Sequence, residues 1–169
     1  HGTNSILKWS KEHKAWTAPR LAPEFMQMVG SQFLAHPPIA PYLVRVTEPD
    51  HPLVRGIGEF DADDELYLCE WHGEHRCLMH TEYAGSAPGF VDQGWDQPAK
   101  HPVLYLRSHG PGELLYCTLG HCRGQYDMQP LMAEFPTIER GSWKLPQFHD
   151  ILRRGIRWGA RLDSELHES

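Results

Sequence analysis

Imidazole is the side chain this sequence offers most freely for chemistry. Twelve histidines occur among 169 residues, and the ring both exchanges a proton near neutral pH and binds metal ions through a nitrogen. Most of the twelve have a plain structural reading. His72, His75 and His80 lie in or beside Trp71-His72-Gly73-Glu74-His75, the composition of a polar surface turn, where H-x-x-H spacing fixes no ligand geometry. His13, His149 and His167 have helical or terminal surroundings and read as solvated. His51 and His101 each precede a proline and read as extended chain entering a new segment. His1, His36 and His121 remain as candidates. His121 is the sharpest of them, because it follows Leu119-Gly120 at the end of an apolar run. A glycine there lets the backbone leave a sheet and present the next side chain at the rim, where α/β sheets hold their ligands.

Positioning His121 falls to a hairpin. Val103, Tyr105 and Arg107 alternate with Leu104, Leu106 and Ser108, His109-Gly110-Pro111-Gly112 has turn chemistry, and Leu114 to Leu119 predicts a buried second strand. Upstream, Pro23 to Met28 predicts a short helix that runs into Gly30 and a loop over Ser31 to Pro38. Tyr42 to Val46 predicts a strand, Glu48 to Pro52 a turn, Leu53 to Gly58 a connector, and Asp61 to Asp64 an acidic helix start or loop. Strands are expected over Glu65 to Glu70 and Arg76 to Thr81, joined as a surface hairpin, whereas Gly85 to Lys100 reads as loop around Trp95. Cys122 to Pro146, with Tyr126, Phe135 and Trp143, reads as a long irregular stretch able to wrap over the strand ends as a lid. The clearest helix comes last. Phe148, Ile151, Leu152, Gly155, Ile156, Gly159 and Leu162 recur at helical spacing, with Arg153, Arg154, Arg157 and Arg161 on a solvated face.

With 40% apolar residues, the chain has enough for one domain with a real core and is short for two. His1-Gly2-Thr3-Asn4 has the character of a loop just after a strand, so the chain reads as starting mid-fold, incomplete at its amino terminus. A net charge of -6 argues against nucleic acid or an anionic membrane as partner, since both call for a basic field. No apolar run approaches the roughly 18 residues of a membrane span, and no signal peptide is visible. The compartment stays open, cytoplasm being favoured over periplasm, and a homo-oligomer is compatible with the composition. Cys69, Cys77, Cys117 and Cys122 contain no C-x-x-C pair and read as buried free thiols. Cys122 adjoins His121, but neighbours on an extended chain point to opposite faces, which weakens it as a nucleophile.

The order of these signals resembles a family. His1-Gly2, Gly30 with Phe33 and His36-Pro37, Asp50-His51-Pro52 with Gly56, Asp64-Glu65-Leu66-Tyr67, His101-Pro102-Val103, the hairpin with Gly110 and Gly112, Leu119-Gly120-His121 and Gly155-Ile156-Arg157-Trp158 together resemble the ThuA-like trehalose-utilisation proteins. The resemblance spans nearly the whole chain and implies an α/β fold, a flavodoxin-like, class I glutamine-amidotransferase-like three-layer sandwich. It also implies a further amino-terminal α/β portion, and the stretch after His121 is longer than the resemblance leads one to expect. Amidotransferase relatives use a cysteine on a sharp strand-to-helix turn. The resemblance aligns that turn with His1-Gly2-Thr3-Asn4, where no cysteine or serine follows the strand position and Thr3 and Ser5 have no obvious partnered base. Ammonia transfer and serine-type hydrolysis are therefore disfavoured.

What the resemblance implies instead is sugar metabolism, with 3-keto-sugars or 3-keto-glycosides as small-molecule substrates. A carbonyl at C3 acidifies the C2 proton, so a general base can remove it and expel the C1 substituent, or return it elsewhere to isomerise the sugar. The residues expected to carry this are His1, His36 and His121 as metal ligands or acid/base groups, Glu65 as the carboxylate and Tyr67 as a donor. A divalent metal ion (Zn, Mn or similar) is the cofactor such a set could take, to stabilise the enediolate oxygen. Trp95, Tyr126, Trp143 and Asn4 are the expected substrate contacts. The enzyme class would be lyase, isomerase or hydrolase on oxidised sugars. A second reading is a noncatalytic carbohydrate-binding or assembly module in which Trp95, Tyr126 and Trp143 stack on sugar faces.

Overall fold

The computed structural model describes residues 2–124 and 138–162. In chain order these form β1 (Lys8–Ser10), β2 (Ala15–Thr17), α1 (Pro23–Val29), β3 (Ser31–Ala35), β4 (Ala40–Val46), β5 (Phe60–Asp64), β6 (Leu68–Trp71), β7 (Arg76–Ser86), β8 (Gly94–His109), β9 (Gly112–Cys117) and α2 (Pro146–Gly159). Strands β1 and β2 make a small hairpin, β3 pairs with β6, and the main sheet has the order β5-β4-β7-β8-β9. All of these ladders are antiparallel. The chain is mixed α/β, with a curled five-strand sheet and few helices, compatible with the flavodoxin-like sandwich that the resemblance implies. No described helix is long and apolar enough to cross a membrane.

Local chemistry accounts for the elements. Helix α1 opens on Pro23 and stops at Gly30, whose φ of 88° lets its N–H return to the Met26 carbonyl. Helix α2 turns Phe148, Ile151 and Trp158 onto the inner face of the main sheet, against Val44, Leu53, Leu78 and Leu104. Burying a side chain of that size contributes roughly 1.5–3 kcal/mol each, so the helix is an integral wall of the core. In β5 the burial alternates strictly, with Phe60, Ala62 and Asp64 turned inward and Asp61 and Asp63 outward.

That inward carboxylate explains the sheet's shape. Strands β5 and β9 lie at opposite edges, yet Asp64 accepts the N–H of Gly120 at 2.8 Å and of His121 at 3.1 Å, just past the end of β9. The sheet therefore curls until its two edges meet at one end, and Asp64 closes the seam.

Several expectations are corrected. Ser31 to Pro38 is not all loop: β3 occupies Ser31–Ala35 and is buried at every residue, so it shows no alternation to read. Its polar members are satisfied, Ser31 by Asn4 and Tyr105, and Gln32 by the carbonyls of Ala18 and Pro19. Asp61 to Asp64 is strand, held by pairing with β4 in spite of its low strand propensity. Much of Gly85 to Lys100 is strand as well, because β7 runs on to Ser86 and β8 begins at Gly94, their backbones pairing regardless of composition. The strand expected from Glu65 starts only at Leu68 and pairs with β3, so it forms no hairpin with β7. Strand β9 is an edge strand, exposed at Gly112 and Glu113, half-buried at Leu114, Leu115 and Cys117, and buried at Tyr116. His51 and His101 prove buried, as does His80.

Candidate functional site

Glu65 follows Asp64 directly and leaves the sheet where the seam closes. Its carboxylate lies between two imidazoles, with Oε1 3.1 Å from His36 Nε2 and Oε2 3.5 Å from His121 Nδ1. The three side chains are mostly shielded, Glu65 being 13% exposed, His36 26% and His121 21%. Each arrives from a different element: His36 from the end of β3, Glu65 from the end of β5, and His121 from the turn after β9. Gly120, at φ 112°, makes that turn, and its N–H and that of His121 dock on Asp64. Gly141 braces the far side, so close that a Cβ on it would sit 2.6 Å from the Asp63 carbonyl oxygen and 3.2 Å from that of His121. A parallel-sheet rule led to His121, but what holds it is a carboxylate closing an antiparallel seam.

The hydrogen-bond pattern sets the tautomer of His36. Its Nδ1 lies 2.7 Å from the Pro37 carbonyl oxygen, which only accepts, so Nδ1 carries hydrogen and Nε2 is the nitrogen turned to Glu65. Around this pair stands an aromatic wall. Phe33 meets Tyr67 edge-on at 4.5 Å between centroids, and Phe90 meets His36 at 4.9 Å. Tyr67 accepts the Gly2 N–H at 3.1 Å. Burial first, and then the Glu65 charge, push its phenol well above the usual range, so it stays a neutral O–H.

The expected residues divide as follows. His36, Glu65 and His121 converge, with Tyr67 packed against the same aromatic wall. Trp143 joins from the seam side, its Nε1–H donating to the Gly120 carbonyl at 3.0 Å. Asn4 is fully buried, its amide donating to Ser31 Oγ at 2.7 Å, so it belongs to the interior network under the site. Trp95 donates to the Asp92 carbonyl and packs on the cluster of Phe33, Tyr67 and Phe90 without reaching the carboxylate's ion pairs. His1 and Tyr126 lie outside the described residues, as do His167 and the middle of the expected lid. Cys69 and Cys117 are free thiols pushed up to about 12 by burial, which makes them inert.

Two residues with a role here escaped the sequence reading. Asp64 binds three backbone N–H groups, those of Glu65, Gly120 and His121. The signal was the two-residue period Phe60, Ala62, Asp64, which puts a carboxylate on an apolar face. Phe90 was missed because its segment read as loop. Among the described residues no three His, Cys, Asp or Glu side chains are grouped to hold a metal ion. A wide groove of about 920 Å³ lies elsewhere, lined by Glu48, His75, Arg76 and Arg107 among others. Its arginines are committed to Glu48 and to the carbonyls of Gln27 and Glu74, so the titratable cluster at Glu65 is the better candidate.

No curated protein and no solved structure matches this chain. A family model does, over residues 10–135, which include His36, Asp64, Glu65, Tyr67 and His121. On that match the chain belongs to the ThuA family of trehalose utilisation, a glutamine amidotransferase-like family.

Proposed function

We propose that this protein acts on an oxidised disaccharide or glycoside, a 3-keto-sugar, by acid/base chemistry at Glu65, His36 and His121. The family points to a role in trehalose utilisation. The observation that carries the finer reading is one carboxylate held between two imidazoles, 3.1 and 3.5 Å away, at the closed end of the sheet. Such a trio holds protons without needing a nucleophile. In the proposed step Glu65 takes the C2 proton made acidic by the C3 carbonyl, and the electron pair moves through the enolate to break the C1–O bond. His121 gives a proton to the departing oxygen, and Tyr67, kept protonated, is the donor suited to the C3 oxyanion. The His36 N–H on the Pro37 carbonyl keeps Nε2 aimed at Glu65, so His36 orients the base and shares its proton. No step here runs through a metal ion.

Glu65→Gln keeps the shape of the side chain and removes its basicity. Turnover of 3-keto-trehalose, followed by release of the free sugar, should fall by roughly 10²–10⁴-fold, with the circular dichroism spectrum unchanged. His121→Ala should fall comparably. Parent-like turnover in either folded variant would end the proposal.

A further inference from the structure

We propose that Trp143 is a positioning residue for the reaction proposed above, its indole N–H holding the Gly120–His121 peptide so that the His121 ring stays turned toward Glu65; the inference rests on that reading. This one peptide unit is gripped at both polar ends by side chains from separate segments. Its carbonyl, on Gly120, accepts Trp143 Nε1–H at 3.0 Å, and its N–H, on His121, donates to Asp64 at 3.1 Å. The Gly120 N–H goes to the other Asp64 carboxylate oxygen at 2.8 Å. His121 lies past the end of β9 at Cys117, outside that strand's ladder, so these three bonds set where its side chain begins.

Trp143 is itself held. It sits in the 3₁₀ turn Gly141–Lys144, where its backbone N–H donates to the Arg140 carbonyl at 2.9 Å and its own carbonyl lies 2.9 Å from Nε2 of His149, near the start of α2. Its ring meets Phe148 edge-on, with centroids 5.1 Å apart and planes at 81°. Phe148 is buried in the main core, so the indole is anchored on that core. The grip also needs a glycine at 120, since a Cβ there would lie 3.0 Å from Phe148 Cζ and 3.8 Å from Trp143 Nε1. Contacts therefore run without a break from α2 through Trp143 and Gly120 to His121 and then, at 3.5 Å, to Glu65.

The N–H, rather than the ring, is what makes tryptophan the residue for this place. Trp143 is 44% exposed, so burial accounts for little of its presence, and a phenyl ring could make the same edge-on contact. A phenyl ring has no donor for the Gly120 carbonyl. A neutral hydrogen bond at a half-exposed site adds little to the stability of the fold, whereas a reacting group displaced by about 1 Å can lose on the order of 10²-fold in rate. His121 has to serve both Glu65 and the departing oxygen in the proposed step. A small drift of its backbone thus costs rate far more than it costs folding.

The test compares Trp143→Phe and Trp143→Ala in the intact chain, with 3-keto-trehalose as substrate and the His121 ring followed by ¹H–¹⁵N NMR in ligand-free protein. Both variants should lose roughly tenfold or more in kcat while KM stays within about twofold, and phenylalanine should rescue nothing, because it restores the ring without the N–H. The His121 ring signals should shift or split in both variants, with the urea midpoint of Trp143→Phe close to the parent's. Parent-like kcat in folded Trp143→Phe, or unmoved His121 signals, overturns the inference, while loss of turnover in Glu65→Gln leaves the Glu65 reading standing. A raised KM with kcat kept, corrected by phenylalanine, makes Trp143 a sugar-stacking surface and overturns it as well. If Glu65→Gln turns over like the parent, or the parent does not turn over at all, both readings fall together.

Discussion

Asp64 shows how much one side chain can hold in place. It is 2% exposed and accepts the N–H groups of Glu65, Gly120 and His121, so it fixes both Glu65 and one of its imidazole partners. Removing it leaves three donors without their acceptor, and bonds to a charged group contribute about 1.5–3 kcal/mol each before relaxation. Asp64→Ala is expected to cost about 3 kcal/mol, read from the urea midpoint, and amide exchange at Gly120 and His121 should accelerate well beyond the global effect. At this scale the sequence was informative for the three side chains that converge, because His36, Glu65 and His121 are chemically distinctive types at element ends. Asp64 was missed there, because its partners across the seam stand 56 and 57 positions away and its own segment reads as an acidic helix start or loop. A long-range hydrogen bond has no local signature.

Among elements, the helices and the β8–β9 hairpin were readable because amphipathic spacing and turn residues act within a few positions. Strand β3 was not, since a strand buried on both faces shows no period, and neither was the Gly94 to Lys100 part of β8, which is exposed apart from Trp95 and exists through its ladder with β7. The connection after β9 depends on two glycines that must stay glycine. At Gly141, φ is 47° and an added Cβ would meet the Asp63 carbonyl oxygen at 2.6 Å, a backbone atom that cannot swing away. Gly141→Ala should cost about 2–3 kcal/mol by thermal or urea denaturation and should also lower turnover, because the same contact braces the His121 carbonyl.

Across the whole molecule, stability should follow pH through its buried imidazoles. Burial is the first cause lowering the pKa of His51, His80 and His101 from the ordinary 6.5. For His80, Lys100 and Arg45 push the same way while Glu82 and Glu59 oppose, and for His101 a backbone hydrogen bond at Tyr83 opposes. A ring that resists charging in the fold and not in the unfolded chain takes its proton on unfolding. The contribution is therefore complete above about pH 6.5 and declines as pH falls toward the lower folded values. The melting temperature should drop by a few degrees between pH 7.5 and 5.5, and His101→Gln should flatten that slope.

The seam carries a consequence of its own. His36 and Glu65 precede the Gly110 turn and His121 follows it, so a polypeptide severed there would divide the converging trio between two fragments. Under the proposed function neither piece should turn over substrate alone, and activity recovered on mixing would report reassembly of the curled sheet, which makes this chain a candidate for split-reporter complementation.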